Sequence, residues 1–69
     1  MVEIFKTDIN REDIAQQVIA MLNAYFPKSD INFDLEDCDR ILRIETETIA
    51  VNTVERILKD SGFYCKVLD

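Results

Sequence analysis

The sequence predicts an α+β domain with the element order βαββαβ. Three observations predict it. Four short runs are alternating or rich in β-branched and aromatic residues. Two longer stretches space their apolar residues three and four apart. The single proline and the single glycine fall where helices should end.

Val2-Glu3-Ile4-Phe5-Lys6 alternates and reads as the first strand. Thr7, Asp8 and Asn10 can cap a helix, and Asn10 followed by Asp13 marks a helix start with a favourable charge in the first turn. From Arg11 to Phe26 the apolar face is Ile14, Ala15, Val18, Ile19, Met21, Leu22, Tyr25 and Phe26, with Arg11, Glu12, Gln16, Gln17 and Asn23 opposite. Pro27 lacks a backbone donor and ends this helix. Ile31-Asn32-Phe33-Asp34-Leu35 is the second strand, Glu36-Asp37-Cys38-Asp39 a turn, and Arg40 to Glu45 the third strand. The short connection makes the last two a hairpin that buries Ile31, Phe33, Leu35, Leu42 and Ile44. The second helix begins at Ile49 or Val51 and runs to Ser61 on a stripe of Val51, Val54, Ile57 and Leu58. Asn52, Glu55, Arg56 and Lys59 face water, and Gly62 supplies a left-handed cap. Phe63 to Leu68 is the last strand, with Phe63, Cys65 and Val67 inward.

Residues 1–69 are expected to form one domain. Helix crossovers join the first strand to the second and the third to the fourth, so the compact solution is the ferredoxin-like sandwich. Its antiparallel sheet has order 4-1-3-2, with both helices on one face. The other face is left to solvent or to a partner. By alternation that open face is expected to show Phe5, Ile41, Tyr64 and Leu68, ringed by Glu3, Asp34, Arg43 and Lys66. An apolar patch of this kind marks a protein contact, such as a homodimer. The same topology gathers Asp8, Glu36, Asp37, Cys38, Asp39 and Asp60 at one end, as an acidic pole with one thiol.

The last third, Val54-Glu-Arg-Ile57-Leu58-Lys-Asp-Ser-Gly62-Phe63-Tyr-Cys65-Lys-Val67, resembles the heavy-metal-associated domain family of copper chaperones and metal-pump amino termini. Leu22…Phe26-Pro27 and Ile31-Asn-Phe33-Asp-Leu35-Glu36 match it more loosely. The resemblance implies the ferredoxin-like scaffold and a Met-x-Cys-x-x-Cys grip for a soft metal ion where the first helix begins. Here that junction reads Lys6-Thr7-Asp8-Ile9-Asn10-Arg11-Glu12-Asp13-Ile14-Ala15, with no cysteine, methionine or histidine. The family's metal residues therefore transfer to no position. The expected role is a non-catalytic binding module on that scaffold, with no cofactor and no metal.

Composition narrows the partners. Hydrophobic residues make up 48% of the chain, which excludes disorder. The net charge of −6 opposes phosphate backbones and anionic membranes, so neither nucleic acid nor membrane is expected, although Phe5 and Tyr64 superficially suit base stacking. With no signal peptide and no apolar run of membrane length, the expected location is the cytoplasm, where two cysteines are free thiols. There is no histidine, no nucleophile–base pair and no glycine-rich phosphate loop, so catalysis is not expected. The alternative is a divergent metal-binding or redox-sensing protein using Cys38 between Asp37 and Asp39, with or without Cys65. One thiolate among carboxylates is a poor soft-metal site, and these acids lack the spacing of a calcium loop.

Overall fold

Residues 1–47 and 50–68 are described by the computed structural model. The elements are β1 (Val2–Thr7), α1 (Glu12–Tyr25), β2 (Asp30–Asp34), β3 (Ile41–Glu45), α2 (Val51–Asp60) and β4 (Cys65–Leu68). The fold is α+β: one four-stranded antiparallel sheet and two helices, an arrangement compatible with the ferredoxin-like topology. The sheet order is β2-β3-β1-β4, which counted from the β4 edge runs 4-1-3-2. The alternative start of α2 at Ile49 lies outside the described residues.

One face of the sheet makes the core. Phe5 of β1, Ile31 of β2, and Leu42 and Ile44 of β3 are buried together with Ala15, Val18 and Leu22 of α1 and Val54, Ile57 and Leu58 of α2. Both helices thus bury their apolar stripes against the same sheet face. Ile9, in the β1–α1 connection, joins them. Tyr25 departs from the expected helix face: it is exposed at the last turn of α1.

The helix ends follow local chemistry. Asn10 is not the first cap. Arg11 holds that place in extended conformation without a side-chain cap, while its guanidinium grips Asp13 at 2.6 Å. Phe26 closes α1 through its N–H to the Leu22 carbonyl, and Pro27 prevents continuation. At the end of α2, Gly62 takes φ +92°. There its N–H donates to the Lys59 carbonyl and the Phe63 N–H to the Leu58 carbonyl, a paired closure that needs a left-handed residue. Phe63 packs on the core directly after it.

The strand bounds differ from expectation by a residue or two. β4 begins at Cys65 rather than Phe63, because the Tyr64 N–H is drawn to the Asp8 carboxylate instead of a sheet partner. The β2–β3 connection is braced by Arg40, a non-glycine residue at φ +47°. Its guanidinium donates to the Leu35 carbonyl at 2.7 Å, and its own carbonyl accepts from the Thr7 hydroxyl at 2.6 Å. These bonds hold a conformation that is otherwise unfavourable for a side chain with a Cβ.

Candidate functional site

The open face is set by the pairing register. Residues directly opposite across an antiparallel ladder point the same way. One row runs Asn32, Arg43, Ile4, Leu68, and the next runs Asp34, Ile41, Lys6, Lys66. A third runs Asp30, Glu45, Val2. Ile4 and Leu68 are each 37% exposed and directly paired. Val2 stands beyond them and Ile41 is half-buried in the next row.

Of the residues expected on this face, Ile41 and Leu68 are there and Phe5 is not. Phe5 has no exposed surface and pairs with Leu42 and Val67 on the helix-covered side, and Glu3 shares its parity. The physical reason is that β1 offers two mixed faces, Val2/Ile4/Lys6 and Glu3/Phe5/Thr7. Burying Phe5 removes more apolar area from water than burying Ile4. Thr7 adds to the choice: buried beside Phe5, its hydroxyl bonds the Arg40 carbonyl and accepts the Ile9 N–H at 3.2 Å. Tyr64 is 52% exposed but precedes β4, at the sheet edge. Asp34, Arg43 and Lys66 stand in the open-face rows as expected. Val2 and Ile4 are the functional candidates that alternation alone missed. The available signal was that the larger side chain, Phe5, should take the core.

The β1–α1 junction, where a metal carrier would hold its cysteines, is closed. Ile9 is buried in it. The Thr7 hydroxyl is occupied on both sides, and the Asp8 carboxylate accepts the Tyr64 N–H at 3.0 Å.

Part of the expected acidic pole comes together. The Thr7 N–H donates to the Asp39 carbonyl, so the hairpin turn sits beside Asp8 at the end of β1. Ligand atoms of Asp37, Cys38 and Asp39 lie within 4.8 Å of one another, and Cys38 is exposed. Two of these groups already have partners. Asp37 Oδ1 accepts the Asp39 N–H at 2.8 Å, and Lys6 Nζ lies 3.4 Å from Asp39 Oδ1. A cation would compete with a lysine that is already in place.

Cys65 is half-buried against the core, opposite Thr7. Burial, then the nearby Glu55 and Asp8 carboxylates, push its thiol from 9.0 up to about 12. It is a protonated packing residue at neutral pH. Glu55 does not simply face water, as its helix position suggested. Its carboxylate accepts the Val67 N–H at 2.9 Å and so blocks part of the free β4 edge. An open groove of about 390 Å³ along this edge is lined by Arg56, Lys59, Phe63 and Tyr64, among others.

No family model, no curated protein and no solved structure matches this chain. Among the described residues no helix is long and apolar enough to cross a membrane.

Proposed function

We propose that this chain is a non-catalytic interaction module whose open sheet face binds a protein partner. Its scaffold is ferredoxin-like and similar to the heavy-metal-associated family, stripped of the metal grip, and it works in the cytoplasm. One observation carries the reading: Ile4 and Leu68 form an apolar cross-strand pair, extended by Val2 and Ile41, on the face that the helices leave bare. Apolar side chains set together among charged neighbours are what a contact surface requires. The closed β1–α1 junction, the protonated Cys65 and the Lys6–Asp39 pair support the same reading by disfavouring metal and redox chemistry.

Hydroxyl-radical footprinting in a lysate of the source cells tests it, with exposed Tyr25 on α1 as the reference. Ile4 and Leu68 should be protected relative to the isolated chain at high dilution, while Tyr25 is not. Equal reactivity of Ile4 and Leu68 in both samples would remove the reading.

A further inference from the structure

The charges on the open face are not mixed at random. The β2 side carries Asp30 and Asp34, with Glu45 beside Asp30 on β3, and one base, Arg43, beside Asn32. The β1 and β4 side carries Lys6 and Lys66. Like charges stand directly opposite one another twice, Asp30 against Glu45 and Lys6 against Lys66, and such pairs are unfavourable within a sheet. The ion pairs among the described residues are Lys6–Asp39 and Arg11–Asp13, so Asp30, Asp34, Glu45, Arg43 and Lys66 find none there. Three acids and three bases make this face neutral, on a chain whose net charge is −6. The surplus negative charge lies elsewhere.

A neutral face that is acidic at one side and basic at the other is complementary to itself under one particular symmetry. Two sheets stacked face to face are related by a two-fold axis lying between them. If that axis runs along the strands, between β3 and β1, the β2 side of each copy covers the β4 side of the other. If it runs across the strands, β2 covers β2 and acid meets acid. We propose, building on the interaction reading above, that the partner is a second copy of this chain, docked about a two-fold axis parallel to the strands. In this arrangement the row Asp34, Ile41, Lys6, Lys66 meets itself reversed. Asp34 lies against Lys66 of the partner subunit twice over. Beside the axis, Ile4 lies over Arg43 of the partner subunit and Ile41 over Lys6 of the partner subunit, aliphatic side chains against the stems of basic ones. The charged ends of Lys6 and Arg43 reach past these contacts to water, and Lys66 at the edge reaches the Asp34 carboxylate of the partner subunit. At β-sheet spacings the face measures roughly 19 by 17 Å. That is small for a specific interface, so the dimer is expected to be weak and transient.

Sedimentation of three samples from about 10 µM to about 1 mM, wide enough to reach a weak, transient dimer, tests this: wild type, Asp34→Lys and Lys66→Glu. Both substituted positions are exposed, and circular dichroism confirms the fold of each variant. Wild type should dimerise. Each variant alone should associate at least tenfold more weakly, because each dimer then sets like charges against one another twice. Mixed in equal amounts the two variants should form a heterodimer, since both contacts become attractive again. A mixture that stays monomeric, or variants that self-associate as wild type does, would overturn the proposed symmetry. A wild type that stays monomeric while Ile4 and Leu68 are protected in lysate would overturn self-recognition and leave the interaction reading standing. Monomer together with no protection would remove both.

Discussion

The two faces of the sheet are built from the same strands, yet only one is closed by the helices. On the covered face Phe5, Leu42 and Ile44 have no exposed surface. On the open face Ile4 and Leu68 keep more than a third of theirs, and lysine, arginine and aspartate stand beside them. The contrast teaches that an apolar residue in a small domain is not thereby a core residue. What decides is which face the amphipathic helices cover. Among the described residues the two helices α1 and α2 cover one face.

Removing the largest side chain from the covered face should break the comparison most severely. Phe5→Ala should lose about 3–5 kcal/mol in urea titration, and Leu68→Ala on the open face less than about 1 kcal/mol at dilutions where the chain is monomeric. Equal losses would mean the two faces are not distinct.

A smaller effect separates the same faces by pH. Cys65, on the covered side, has its thiol raised from 9.0 to about 12. The folded protein therefore holds a proton that the unfolded chain releases. This contribution is intact below pH 9 and is lost as the pH rises through 12. Stability should fall more steeply over that interval in wild type than in Cys65→Ala. At pH 8 a thiol reagent should label exposed Cys38 in the folded protein and reach Cys65 only on unfolding. Rapid labelling of both would place Cys65 outside the core.

Much of this was legible in the sequence. The helices follow from spacings such as Val54-Ile57-Leu58, their ends from Pro27 and Gly62, and the hairpin faces from the strict alternation of Ile31, Phe33 and Leu35. The orientation of β1 was not, because Val2-Glu3-Ile4-Phe5-Lys6-Thr7 alternates on either parity. Only tertiary packing, with the Thr7 hydroxyl bonded to the Arg40 carbonyl 33 residues away, decides between them. The role of Glu55 was hidden for the same reason. A carboxylate on a helix flank reads as solvated until a strand edge is brought beneath it. For the candidate site, two of the four residues expected on the open face stand there. The apolar pair at its centre emerges only once β1 is turned over.

The most direct measurement is the thermal midpoint as a function of protein concentration for wild type and Ile4→Glu. Association through the open face stabilises the folded state by mass action. The wild-type midpoint should therefore climb with concentration. The Ile4→Glu midpoint should match wild type at high dilution and stay flat. A wild-type midpoint independent of concentration would contradict self-association through the open face, and an Ile4→Glu midpoint depressed even at high dilution would make Ile4 part of the core instead of a contact surface.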